Sequence, residues 1–265
     1  QNRQEFVLAP TTVSTSTFGK LFSCSLDGFA YAQPLFIANL AVPGKGTRNV
    51  VFVATEKDSV YAFDADANPC VPLWKTTLVP AGEEAVPTPN LEITSDDIAP
   101  FVGITGTPVI DASSSTLYAV AKTRSPTINP IYTQRLYALD LATGQPKIQP
   151  SGVQVSTPGS VSPGFSSLLE NQRAALLLDN RTLDIAFGSH HDQGDYHGWI
   201  MRYDASTLLQ TSYFNVTPGG QKGGIWQSGG GPSADSNHNL FVVSGNGTFD
   251  VDRGGHNYAD SFLRM

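Results

Sequence analysis

Between Ser189 and Gly198 the chain reads Ser-His-His-Asp-Gln-Gly-Asp-Tyr-His-Gly, which puts His190, His191, His197, Asp192 and Asp195 in one short stretch. Imidazoles and carboxylates in this mixture could hold Zn²⁺, Cu²⁺ or Ni²⁺, and His256 on a later loop could add a ligand. Adjacent residues of an extended segment point to opposite faces, however, so at most two of the three imidazoles converge easily. No ligand spacing of a structural metal site is met, and a solvated polar loop is the competing reading. A second stretch raises a different chemistry. Trp226 sits among seven glycines between Gly219 and Gly231, and Gly245-Asn246-Gly247 closes the apolar segment that follows. An indole can stack on a flat ligand, glycines admit close backbone approach, and Asn246 can offer an oxygen to Ca²⁺. The alternative is packing alone, since glycine in a strand also marks a crowded inner edge.

Other acidic groups carry less. Asp64-Ala-Asp-Ala-Asn68 and Asp235-Ser-Asn-His-Asn239 mimic the start of a calcium loop but lack its glycine at position six and glutamate at twelve, so they read as turns. Asp250 and Asp252 with Asp260 are a better cation candidate. No GxSxG, HExxH, phosphate-loop or dinucleotide fingerprint is present. Three Asn-X-Thr sequons, at Asn180, Asn215 and Asn246, have meaning only in a glycosylating host.

The elements that must position these residues repeat. Apolar strands ending in aspartate recur at Val60–Asp64, Leu136–Asp140 and Ile200–Asp204, and Phe262–Met265 begins a fourth. Upstream of each lies an apolar strand, at Val50–Ala54, Leu117–Ala121, Ile185–Phe187 and Leu240–Val243, and before those come Gln33–Ile37, Thr107–Asp111, Ala174–Asp179 and Gly231–Asp235. A further strand follows the first three units at Leu73–Leu78, Lys147–Val155 and Gln210–Val216. Four short strands per unit with turn residues between them predict an all-β fold, a β-propeller of four-stranded antiparallel blades with about four blades present. In such a blade the turns alternate between two ends. Short Asp/Asn/Gly turns fall on one end, with "ANLAVPGKGTRN" as a long exception. The other end collects Val79–Val102, Lys122–Gln134, Ser156–Asn171, Ser189–His197, Pro218–Gln227 and Gly245–Asp260, and long loops on a rigid scaffold are where binding concentrates. Residues 1–27 read as an N-terminal segment whose Gly19–Leu26 supplies a closing strand, and 28–265 as blades at about 28–80, 103–155, 172–217 and an incomplete 225–265.

Composition narrows the function classes. Hydrophobic residues at 40% and charged residues at 15% suit a packed domain rather than a disordered chain. A net charge of −7 argues against nucleic acid as a partner, and no apolar run is long enough for a membrane span. The absence of an initiating Met and of a signal peptide is expected of a mature or trimmed chain. Cys24 and Cys70 have no CxxC partner, and sequence does not decide whether they are bridged or unpaired. A cysteine pair in a Ser/Thr/Gly-rich chain leans toward an exported protein.

The segments "NVVFVATEKDSVYAFDADANPCVPLW", "GITGTPVIDASSSTLYAVAKT" with "QRLYALDLATG", and "GGIWQSGGGPSADSNHNLFVVSGNGTFD" resemble the pyrroloquinoline-quinone-like (quinoprotein-type) β-propeller repeat family, in its exported bacterial branch. The resemblance covers about Gly28 to Met265. It favours a ring of seven or eight blades, of which this chain is a fragment, over closure as four blades through the N-terminal strand. It also implies a place for pyrroloquinoline quinone and calcium, with Trp226 beneath the quinone, Asn246 as a calcium ligand, and Gln193 or its neighbour Asp192 where the family carries a calcium-binding glutamate. The family's adjacent cysteine pair is missing, and its catalytic aspartate falls beyond Met265. Three function classes follow. The first expectation is an exported binding or scaffold module that presents its long-loop face to a protein or glycan. The second is a quinoprotein dehydrogenase oxidising alcohols or sugars. The third is a metal-dependent hydrolase or lyase on the histidine-rich rim.

Overall fold

The computed structural model describes residues 7–265. The described chain is all-β apart from one short 3₁₀ turn, and its strands form open antiparallel sheets in chain order. The first sheet is β1 (Leu35–Val42), β2 (Gly46–Ala54), β3 (Ser59–Asp64) and β4 (Pro72–Thr77), each paired with the next. Then come β5 (Glu84–Pro87), β6 (Phe101–Val102), β7 (Val109–Asp111), β8 (Thr116–Arg124), β9 (Tyr132–Asp140) and β10 (Val153–Gln154). Here β7, β8, β9 and β10 are neighbours in that order, and β5 pairs with the far end of β8. The third sheet comprises β11 (Glu170–Asn171), β12 (Leu177–Asp179), β13 (Thr182–Ser189), β14 (Trp199–Asp204) and β15 (Gln210–Asn215). The fourth has three strands, β16 (Ser233–Ala234), β17 (Leu240–Val243) and β18 (Phe262–Arg264). No helix of the described residues is long and apolar enough to cross a membrane.

Two-residue alternation stacks these sheets. Along β8, Leu117, Ala119 and Ala121 pack with Val50, Phe52, Val60 and Ala62 of the first sheet. The intervening Tyr118 and Val120 pack instead with Leu183, Ile185, Met201 and Tyr203 of the third. On the third sheet Ala186 and Ile200 meet Leu240 and Val242 of the fourth. Strands covered on both faces must be apolar throughout, which explains runs such as Leu-Tyr-Ala-Val-Ala. Each such side chain contributes roughly 1.5–3 kcal/mol on burial. Among the described residues no core cluster joins the first sheet to the fourth.

The recurring aspartate has a local cause. Asp140 Oδ1 accepts from the backbone N–H groups of Ala142 (3.1 Å) and Thr143 (3.0 Å) and from the Thr143 hydroxyl (2.9 Å). Asp204 Oδ1 accepts from Ser206 and Thr207 in the same way. It closes the turn that follows each third strand of a unit, as Asx residues do.

Several local expectations change. Gly19–Leu26 joins no sheet; Cys24 is instead disulfide-bonded to Cys70 just before β4. Asp27 then anchors the chain, accepting from Thr55 Oγ1 (2.9 Å) and Ser59 Oγ (2.6 Å) and pairing with Lys75 (2.8 Å). The stretch "ANLAVPGKGTRN" is not a long loop but the extended tip of the β1–β2 hairpin, with a bulge at Asn39 and a turn through Gly44 at φ +69°. Lys122–Arg124 and Tyr132–Gln134 are strand, which shortens that loop to residues 125–131. The strand expected over Lys147–Val155 is interrupted: Lys147 N–H donates to Ala138 O (2.8 Å), Pro150 has no N–H to give, and the ladder resumes at Val153–Gln154.

Candidate functional site

The glycines around Trp226 make room for its ring. A Cβ on Gly188, near the end of β13, would lie 2.9 Å from Trp226 Cε3, and one on Gly224 or Gly245 would lie 3.1 Å from Nε1. The contact at Gly188 is shorter than real Cβ atoms show and those at Gly224 and Gly245 are tighter than most, so β13, the Trp226 segment itself and the turn after β17 sit close to the indole because they carry glycine there. The segment carrying Trp226 is held on both sides. Ile225 N–H donates to Phe187 O (3.0 Å), while Gly245 N–H donates to Gly224 O (2.8 Å) and Gly223 N–H to Asn246 O (2.9 Å). Tyr196 meets the indole edge-on at 6.2 Å. The glycine-rich stretch is therefore a seat for Trp226 as well as a tight inner edge.

Trp226 remains half-buried and lines a cavity of about 220 Å³. Tyr31 enters the lining from the chain before β1, and Asp97 and Ile98 from the excursion between β5 and β6. Asn171 and Arg173 come from β11 and its continuation, His190 and His191 from the loop after β13. These are connections between strands, at the end predicted to carry the long loops. The 79–102 excursion is not loose: Glu84 and Ala85 pair with Arg124 and Thr123, and Val86 with Val102.

Behind the cavity wall lies a set of buried ionisable groups. Lys122 Nζ stands 2.7 Å from His190 Nε2 and donates to the carbonyls of Leu168 (3.1 Å) and Glu170 (3.3 Å). Burial pulls the Lys122 ammonium down to about 7, opposed by the Glu170 charge. Burial drives His190 well below its ordinary value, with the Lys122 charge adding to the effect, so the imidazole is neutral. Glu170 accepts from Ser166 N–H (2.7 Å) and His197 N–H (3.2 Å), yet burial still raises its carboxyl to about 7. Glu56 is likewise raised by burial to about 7, against hydrogen bonds from Gly103 N–H and Thr105 Oγ1 (both 2.8 Å) and the charge of Arg173. Burial also lifts Asp58 well above its ordinary value.

The residues singled out from sequence are only partly brought together. Asn246 Nδ2 donates to Asp192 Oδ2 (3.2 Å), and Tyr196 donates its hydroxyl to Asp192 Oδ1. Gln193 turns away, accepting from Thr94 N–H (3.1 Å) and donating to Glu92 O (2.5 Å). The three histidines diverge. His190 faces Lys122, His191 pairs with Asp97 at 2.7 Å, and His197 Nδ1 lies 3.1 Å from Thr217 O. The Asp97 carboxylate holds the exposed His191 above its ordinary pKa, whereas burial lowers His197. Asp250 is occupied by Asn257, through its N–H (2.9 Å) and its Nδ2 (2.5 Å), and Asp235 by Asn239; both organise turns. Among the described residues no group of three or more His, Cys, Asp or Glu could hold a metal ion. Calcium takes roughly six to eight oxygens. The Asn246–Asp192 pair without Gln193 does not make up that shell.

Sequence reasoning passed over Arg173, Lys122, Glu170 and Tyr31. Lys122 carried a readable signal: it follows Tyr118 and Val120 at two-residue steps, so it shares their buried face. Arg173 carried none, since nothing in "ENQRAALLL" separates it from an ordinary surface arginine. The chain matches no protein-family model and no curated protein.

Proposed function

We propose that this chain is part of an exported β-propeller of the quinoprotein-like repeat type, and that the long-loop end of the propeller is a glycan-binding module. The propeller reading is supported by four successive antiparallel sheets, each packed face to face on the one before. The family resemblance adds the ring size, seven or eight blades. Export is supported by the Cys24–Cys70 disulfide, since such bonds persist in oxidising compartments.

The observation that carries the ligand class is Trp226. It is wedged among three glycines yet lines a cavity whose wall mixes apolar groups, Ile98 and Val102, with polar ones such as Asn171, Arg173, Ser189 and Tyr31. An aromatic platform beside hydroxyl and amide partners matches a sugar, which offers a C–H face and a rim of hydroxyls. At about 220 Å³ the cavity is smaller than the roughly 300–1,000 Å³ of sites for drug-sized ligands, so it suits one sugar ring better than a fused polycyclic quinone.

The test is a glycan array probed with the chain and with Trp226→Ala. Retention of a defined glycan set by the parent and its loss in the variant supports the reading. An array bound by neither, or by both alike, refutes it.

One observation favours a second reading. Asn246 and Asp192, both implied as calcium ligands in a quinoprotein dehydrogenase, are in contact. Titration with pyrroloquinoline quinone, with and without Ca²⁺, followed by tryptophan fluorescence decides it. Calcium-dependent, saturable quenching lost in Trp226→Ala supports the cofactor reading, and a flat titration removes it.

A further inference from the structure

Arg173 lines the cavity, and its guanidinium makes no hydrogen bond or ion pair among the described residues; it acts on Glu56 only through space. Arg173 is half-buried, and the planar donors of its guanidinium match a carboxylate bidentately. The carboxylate that lines the cavity, Asp97, is engaged by His191 at 2.7 Å. Lys122, behind His190, contacts carbonyl oxygens and an imidazole rather than a carboxylate. Arg173 is thus the lining cation without a hydrogen-bonded counter-ion among the described residues, in a chain of net charge −7, while Lys122 behind the wall faces the Glu170 charge. Asn171 and Ser189 add neutral hydrogen-bonding groups, and Trp226 adds a flat apolar surface, all around a space suited to one ring.

We infer that the ligand of this cavity is an acidic sugar, a hexuronate unit of a glycan, with Arg173 taking its carboxylate and Trp226 its ring face. The inference rests on the glycan reading above and adds the charge. Phosphate and sulfate esters share this fork chemistry, and a sulfated or phosphorylated sugar binding more tightly than the uronate overturns the carboxylate assignment.

The probe is trigalacturonate, compared by calorimetry with its fully methyl-esterified form, which keeps the sugar and removes the charge. The acid is expected to bind roughly ten- to a hundredfold more tightly than the ester, the range of one charge-assisted hydrogen-bond pair. Arg173→Gln should weaken the acid by a similar factor and erase the difference between acid and ester, while Arg173→Lys recovers part of it. The acid–ester comparison needs no variant, so a misfolded mutant does not blunt the test. Equal binding of acid and ester, both lost in Trp226→Ala, overturns the acidic inference and leaves the glycan reading standing. Equal binding of the acid by the parent and Arg173→Gln, or acetate competing as well as the oligosaccharide, also overturns it. No binding of either form, together with an array indifferent to Trp226→Ala, overturns both.

Discussion

Gly188 and Trp226 are in contact, and a methyl group at position 188 would stand 2.9 Å from Cε3 and 3.0 Å from Cδ2 of the indole. The missing side chain at the end of β13 therefore sets the position of the cavity floor. Gly188→Ala is expected to displace the ring and to cost about 1–3 kcal/mol of stability, the range for one methyl forced into a packed site. Chemical denaturation measures the loss, and a shift in tryptophan emission reports the moved ring. Unchanged emission would mean that the backbone, not the indole, gives way.

Gly144 serves the turn after β9. It has φ +71°, and a Cβ there would lie 2.5 Å from Trp74 Cε3 and 2.6 Å from Thr76 Oγ1 of the first sheet. Thr76 Oγ1 also donates to Gly144 O (2.8 Å), and Trp74 Nε1 to Leu141 O (3.0 Å). Gly144→Ala is expected to cost about 2–4 kcal/mol, combining a left-handed backbone with overpacking between two sheets. Gly19→Ala, with nothing within 4 Å, should change nothing and serves as the control in the same melting series.

Glu56 makes stability depend on pH. Burial raises its carboxyl from 4.5 to about 7 in the folded chain. The folded state therefore holds a proton that the unfolded state has released between those values. Its favourable contribution is complete below about pH 4.5 and is lost as pH rises through about 7. Glu56→Gln is expected to match the parent near pH 4.5 and to exceed it by about 1–3 kcal/mol at pH 8. Urea midpoints at the two pH values check this, and a variant less stable at pH 8 would contradict it. Asp58 shifts in the same direction, so some slope remains in the variant.

The Cys24–Cys70 bond ties a largely exposed N-terminal segment to the first sheet across a separation of 46 residues. Replacing both with serine is expected to cost about 2–4 kcal/mol. Limited proteolysis should then begin within residues 9–26, a largely exposed stretch that would meet the first sheet through Asp27, at Thr55, Ser59, Tyr61 and Lys75. First cleavage inside the sheets would contradict this.

What was legible in the sequence follows from which strands are covered. Strands that pack on both faces need apolar runs, so Leu117–Ala121 and Ile200–Asp204 could be placed closely, and Val50–Ala54, buried at alternate residues, could be placed from its β-branched run. The two-residue ladders of Phe101–Val102 and Glu170–Asn171 have no period to read, and they were missed although they shape the cavity wall. Trp226, Asn246 and Asp192 were singled out by residue type and by the resemblance, and the fold puts Asn246 in contact with Asp192. The resemblance pointed to Gln193, with Asp192 beside it. His191 and Asp192 both adopt left-handed backbone (φ +53° and +57°), and Gln193 after them bonds to Thr94 and Glu92. Arg173 became visible only through its lack of a partner, which is a property of the folded surroundings rather than of the sequence.

The central claim, that Trp226 floors a site for an acidic sugar, is tested most directly by hydroxyl-radical footprinting with and without excess trigalacturonate. The indoles of Trp74 and Trp226 are both half-buried, and Trp74 belongs to the core between the first two sheets, so it serves as the internal reference. The account predicts that oxidation of Trp226 falls severalfold while that of Trp74 is unchanged. Equal oxidation of Trp226 with and without the saccharide, or protection at Trp74 alone, would contradict it.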